Sequence, residues 1–279
     1  MKSADLLPFD SRLLPVAFCL LISAFCLPAI AHEPLSERIV KLSEQIKKDP
    51  NNPNLYLKRG ELHRLSRDWQ AAQDDYDRAQ KLNPQLTEVE FCRGRMWLEA
   101  GNPEWAKNAL DRFLKLNPDR YDALLMRARA FEKMKDFRAS TADYTRAIGL
   151  VPRAKPDHYI ERARVQVAAG LMDEALQGLD EAILKLDQVV TLQLEAIEIE
   201  LKRGNWDAAL ARLDKIAARS ERKETLLARR GEILMKAGRK DEARHAFTAA
   251  LVSIELLPPR LRQTKAMGDL EEKVQARLR

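Results

Sequence analysis

Pro50, Pro84, Pro118 and Pro152 stand 34 residues apart in succession. A small residue keeps the same phase at Ala72, Ala106, Ser140, Ala175, Ala209 and Ala243, with one extra residue between Ser140 and Ala175. A fixed period of this length confines a chain to repeat architectures, where one supersecondary unit is copied and each copy packs on the next. The grammar inside each period is constant. A first segment carries a small residue at Gly60, Gly94, Ala128, Ala163 and Gly231, with Ile197 as the exception in the fifth period. Seven residues on comes a turn, at Arg67, Gly101, Lys135, Gly170, Gly204 and Gly238. A second segment then carries the recurring small residue, followed by Tyr76, Leu110, Tyr144, Leu179, Leu213 or Phe247.

These segments are expected to be helices. Ala, Leu, Arg, Glu and Lys dominate the chain, aromatics are only 6%, and 32% of residues are charged. That composition favours helix over strand or disorder. Small residues let two antiparallel helices approach closely, and large ones fill the space around them. A mid-helix glycine costs about 1 kcal/mol against alanine, and close packing offsets that cost at Gly60, Gly94 and Gly231. Asn83-Pro84, Asn117-Pro118 and Val151-Pro152 end three second helices, because proline cannot continue a helix and disfavours helical geometry in the residue before it.

The pattern resembles the tetratricopeptide repeat. Tyr56, Gly60, Ala72, Tyr76, Ala79 and Pro84 carry the clearest match, and Gly94, Trp97, Gly101, Ala106 and Pro118 the second. Six repeats are expected over residues 53–257, starting near Pro53, Thr87, Tyr121, Pro156, Val190 and Glu224. The resemblance implies an all-α, right-handed α-solenoid. Residues 32–52 are expected to form an N-terminal capping helix. After Pro258-Pro259, residues 258–279 are expected to form a C-terminal cap whose final helix runs from Leu261 to Leu278.

Residues 1–31 read as a secretory signal peptide. Lys2 and Arg12 are positive, Leu13–Leu27 is apolar apart from Pro15 and Ser23, and Ala29-Ile30-Ala31 is a small-x-small cleavage site. Cleavage after Ala31 predicts a periplasmic or secreted protein beginning at His32. The rival is an uncleaved anchor, since 13–31 approaches the ~20 residues a spanning helix needs; membrane contact is expected only in that case. Phe18 and Phe25 precede Cys19 and Cys26, which argues against lipid attachment. Cleavage leaves Cys92 alone, so no intramolecular disulfide can form.

No catalytic motif is present, and the repeats leave no room for a separate catalytic domain, so no enzyme activity and no cofactor are expected. His32, His63, His158 and His245 are too scattered for a metal centre. The net charge of +6 comes from interspersed residues, 48 basic against 42 acidic, so nucleic acid is not the expected partner. Arg59 and Arg127 are expected to pair with Asp75 and Asp143 across each helix pair, so replacing Arg127 should lower stability more than binding.

Function is expected on the face of the first helices, which the resemblance implies lines a concave groove. That face carries Leu57, Glu61, Phe91, Arg95, Leu125, Arg129, Ile160, Arg164, Leu194 and Glu198, with Glu232 beyond. Two roles are open to the central arginines. They can hold a protein or peptide bearing acidic segments, or they can pair locally, Arg95 with Glu99, Arg129 with Glu132 and Arg164 with Glu161. The heat-shock-chaperone clamp of some family members is absent, because Leu57 and Glu61 occupy its first-repeat positions. The expected function is an exported adaptor or scaffold. The alternatives are an assembly or regulatory subunit of an envelope complex, or a glycan-binding protein using groove aromatics such as Phe91.

Overall fold

The computed structural model describes residues 34–187 and 189–279. The expected signal segment, its cleavage site, His32, Cys19 and Cys26 lie outside the described residues. Every regular element among the described residues is helical. Helix α1 (Leu35–Lys48) precedes six antiparallel pairs: α2 (Pro53–Leu65) with α3 (Trp69–Leu82), α4 (Glu88–Glu99) with α5 (Pro103–Leu116), α6 (Tyr121–Lys133) with α7 (Phe137–Gly149), α8 (Pro156–Ala168) with α9 (Met172–Lys185), α10 (Val190–Lys202) with α11 (Trp206–Arg219), and α12 (Glu224–Lys236) with α13 (Lys240–Glu255). Each pair packs on the next, giving an α-solenoid. The expected repeat starts coincide with the first residues of these helices, with Thr87 one place earlier, as the N-cap of α4.

The turn inside each pair follows from one backbone demand. Residues 67, 101, 135, 170, 204 and 238 all have φ between 61° and 81°. Glycine meets that demand freely at four of them, whereas Arg67 and Lys135 adopt the left-handed region despite a Cβ. Asp68 and Asp136 follow those two residues directly. They cap α3 and α7 by accepting the Ala71 and Ala139 N–H bonds at 3.2 and 3.1 Å.

Close approach explains the small residues. A Cβ built on Gly60 would lie 2.6 Å from the Tyr76 ring, on Gly94 2.5 Å from Leu110, and on Gly231 2.5 Å from Phe247. The pairing partner is always sixteen residues on, so the helices of a pair meet at one repeated crossing. In the fifth repeat Ile197 fills that place instead, buried in one cluster with Ala209 and Leu213. The extra residue after the third repeat lies in the segment from Val151 to Lys155, which packs Ala154 into the core before α8 begins.

The C-terminal cap differs from the expected single helix. Pro259–Arg262 forms a short helix, α14, and the final helix α15 spans Lys265–Leu278. Thr264 separates them: its backbone is extended (ψ 146°) and its hydroxyl donates to the Leu261 carbonyl at 2.8 Å. Leu261 is therefore exposed, while Leu270, Val274 and Leu278 close the core of the sixth repeat.

Candidate functional site

The first-helix face is built by charge pairing between neighbouring repeats. Arg95 of α4 bonds Glu61 of α2. Arg129 of α6 reaches Glu161 of α8 at 2.9 Å. Arg164 of α8 forks onto both oxygens of Glu195 in α10, at 3.0 Å each, and Arg229 of α12 bonds Glu198. The expected local pairs are therefore corrected. Glu99, assigned to Arg95, accepts from Arg64 of the preceding repeat at 2.6–2.7 Å, and Glu132 takes no ion pair among the described residues. The physical reason is geometric. First helices of adjacent repeats lie side by side, so a long guanidinium meets a facing carboxylate end-on and can satisfy two donors at once.

The apolar positions do not form one exposed track. Phe91 and Leu125 are 6% and 5% exposed and belong to the core between the second and third repeats. Phe91 is consequently withdrawn from the surface, and with it the groove aromatic that a glycan would use. Leu57 and Glu61 border an open cleft of ≈ 540 Å³ at the N-terminal end, with Leu42, Leu62, Leu65 and Cys92. Ile160 is half-buried, and Leu194 and Glu198 stand exposed farther along. Burial pushes the Cys92 thiol up to about 12, with Glu61 adding to it, so the residue is a packing group held as the neutral thiol.

Arg129 and Arg164 are brought together. With Leu98, Glu132, Lys133, Tyr144 and Glu161 they line a cleft of ≈ 510 Å³ on the first helices of the second to fourth repeats. Tyr144 is fully buried at its floor, and its Oη has no hydrogen-bond partner among the described residues. The equivalent Tyr76, two repeats earlier, donates to Glu61 Oε1 at 2.5 Å. The difference is one substitution of register: the place of Glu61 is taken in the third repeat by Arg129, which offers donors only. The Tyr144 hydroxyl is buried beside Glu161 and Arg129, and it makes no hydrogen bond of ordinary geometry to either. Burial, and Glu161 after it, holds its pKa above the ordinary range, so it stays protonated. Burial, with Glu161 as the next cause, also raises the Glu132 carboxyl. Arg129, Lys133 and Arg164 thus face the two carboxylates of Glu132 and Glu161, which leaves the cleft a slight basic excess.

Sequence reasoning placed Tyr144 among the packing positions. The signal that marks it is legible only by comparing periods: the same tyrosine stands over glutamate in the first repeat and over arginine in the third. Among the described residues no group of three His, Cys, Asp or Glu could hold a metal ion, and no helix is long and apolar enough to cross a membrane.

Comparison with known proteins agrees with this geometry. The family model described as tetratricopeptide repeat-like domain matches residues 162–266, and that described as tetratricopeptide repeat matches residues 94–152. None of the curated protein sequences matches the chain. Among solved structures, a tetratricopeptide repeat protein from Parabacteroides merdae superposes with a TM-score of 0.54 at 19% identity, covering 86% of this chain and 92% of that one. PilW, a widely conserved type IV pilus biogenesis factor, gives 0.54 at 22% identity over 69% of this chain and 90% of its own. YrrB, described as having an unusual peptide-binding site, gives 0.53 at 16% identity over 74% and 97%. At these identities the likeness is one of fold. Together with the family models it establishes that this chain carries tetratricopeptide-repeat domains, stacked as an α-solenoid.

Proposed function

We propose that the chain is an exported, non-catalytic adaptor that holds an extended protein segment on its first-helix face, centred on the Arg129–Tyr144–Arg164 cleft. The observation that carries this reading is the unpartnered Tyr144 hydroxyl. A buried donor without an acceptor costs roughly 1–3 kcal/mol in the free protein, and a carbonyl or carboxylate oxygen of a bound segment removes that cost. The cleft opens onto inter-repeat ion pairs whose carboxylates have remaining acceptor capacity, so it suits a peptide backbone presenting both N–H and C=O groups. An acidic side chain on the partner would add charge-assisted bonds to Arg129 and Arg164. Repeat proteins of this fold are in general protein-interaction scaffolds, and the description of YrrB names a peptide-binding site, which supports the class of partner.

The test is crosslinked capture from envelope extract with Tyr144→Phe as the control. This variant removes only an oxygen that makes no hydrogen bond of ordinary geometry among the described residues. Its melting temperature is expected to equal or exceed that of the parent, while recovery of the specific partner falls at least about five-fold, or roughly 1 kcal/mol. A partner recovered equally by both proteins would place the binding face elsewhere.

Export rests on the N-terminal segment. Protein isolated from its native host is expected to begin at His32. A mature N-terminus at Met1, with the protein in the cytosolic fraction, would remove the exported part of this reading and leave the adaptor part intact.

A further inference from the structure

A third cleft, of ≈ 530 Å³, lies between α3 and α5 and shares no lining residue with the Arg129–Tyr144–Arg164 cleft. Its walls are Gln70, Gln73, Asp77 and Gln80 from α3, with Trp105, Asn108 and Arg112 from α5; Arg93 and Trp97 of α4 lie between them. The positions follow helical spacing on each wall, so both helices present a continuous polar edge to the same space. Trp105 is 58% exposed, and every other aromatic side chain among the described residues is buried or half-buried. It is held in an edge-on contact with Trp97, ring centroids 4.5 Å apart at 87°. That contact orients the exposed indole as a fixed apolar plate above an amide-rich wall.

The charges of this cleft are already spent on one another. Arg93 bonds Asp77, reaches Glu90 at 2.8 Å and donates to Gln80 at 2.6 Å. Arg112 pairs with Glu90 at 2.7 Å. Two guanidinium and two carboxylate groups cancel, which leaves no net field to attract a polyanion or a basic peptide. What remains is one guanidinium donor and amide capacity: the buried Arg93 Nε and Gln73 Oε1 have no hydrogen-bond partner among the described residues, Gln73 donates to Asp77 at 2.7 Å, and Asn108 is exposed at the rim. A rigid aromatic plate beside uncharged amides and internally neutralised ion pairs matches a ligand with an apolar C–H face and a ring of hydroxyl groups. The negative face of the indole attracts polarised C–H groups, and amides both donate to and accept from hydroxyls.

We infer that the α3–α5 cleft binds a neutral saccharide, with a pyranose ring stacked on Trp105 and its hydroxyls bonded to Asn108, Gln70 and Gln73. This site is independent of the adaptor reading, because it uses a different face and none of the same residues.

The test uses the purified protein against neutral hexasaccharides of β-1,4-glucose, β-1,4-xylose, β-1,4-N-acetylglucosamine and α-1,4-glucose, followed by tryptophan fluorescence and by calorimetry. At least one is expected to bind saturably, with affinity changing less than about two-fold between about 0.05 and 0.5 M salt, since no charge is exchanged. Trp105→Ala should weaken binding at least about ten-fold, and Asn108→Ala about three-fold, while Tyr144→Phe leaves it unchanged. Both replaced side chains are exposed, and circular dichroism melts within about 2 °C of the parent check that the fold is kept. Binding by none of the four, binding that survives Trp105→Ala, or binding lost on raising the salt would each overturn the inference.

Discussion

Phe247→Ala is expected to lower unfolding stability by about 3–5 kcal/mol, the largest effect of any substitution considered. Phe247 is 1% exposed, and its ring meets the backbone of α12 at Gly231, where a Cβ would come within 2.5 Å. Truncation removes the ring and leaves a void bordered by a glycine, which has no side chain with which to fill it. The reciprocal change tests the same contact. Gly231→Ala gains up to about 1 kcal/mol of helix propensity, yet forces the ring away and costs about 1–3 kcal/mol net. In a Phe247→Ala background there is no ring to displace, so the same Gly231→Ala change becomes neutral or stabilising. A double-mutant cycle in urea would read this as a coupling of about 1–3 kcal/mol, and simple additivity would show that the two residues do not constrain one another. Because each repeat touches only its neighbours, amide exchange should accelerate first in α12, α13 and α15, with the first three repeats keeping their protection.

Arg127→Ala is expected to cost about 2–3 kcal/mol. Arg127 donates to both oxygens of Asp143 at 2.7 and 2.8 Å, and to Asp111 of the preceding second helix at 2.8 Å. The bonds to Asp143 hold its guanidinium pKa above the ordinary range. The Asp143 side chain is only 9% exposed, so removing the arginine strands a carboxylate with little access to water. The usual penalty for breaking a buried pair, about 3–5 kcal/mol, is reduced here because Arg127 itself is partly solvated. Replacing both partners together, as Arg127→Met with Asp143→Leu, should recover most of the loss, because no uncompensated charge remains. Urea denaturation of the three variants is the measurement. Partner capture by the first-helix face should change little in any variant that remains folded at the assay temperature. A stable Arg127→Ala protein that has lost its partner would instead make Arg127 a binding residue.

Much of the architecture is legible in the chain itself. The 34-residue phase of the prolines and small residues determines the number of helix pairs, their starts and their turns, because steric rules act locally: a Pro ends a helix, and a turn at positive φ follows each first helix. The Arg59–Asp75 and Arg127–Asp143 pairs are also legible, since a sixteen-residue spacing across a known helix pair fixes who faces whom. Contacts between repeats are less so. The groove arginines choose carboxylates of neighbouring repeats over those one turn away, and that choice depends on how closely and at what angle the first helices lie. Phe91 and Leu125 share a helix face with Arg95 and Arg129, yet only the stacking of the second repeat on the third decides that they are core. The final helix begins at Lys265 because Thr264 is extended, a backbone state its residue type permits but does not require.

The candidate sites divide in the same way. Sequence alone determined that this chain is a repeated helical pair without catalytic motifs, because periodicity and composition act through local sterics and burial. Only the tertiary structure decided that Tyr144 makes no hydrogen bond of ordinary geometry, and that Trp105 is exposed and stands against Trp97 beside the amides of another repeat. Both features arise between elements separated in sequence, where a hydrogen bond or a ring contact depends on distances that no local pattern contains.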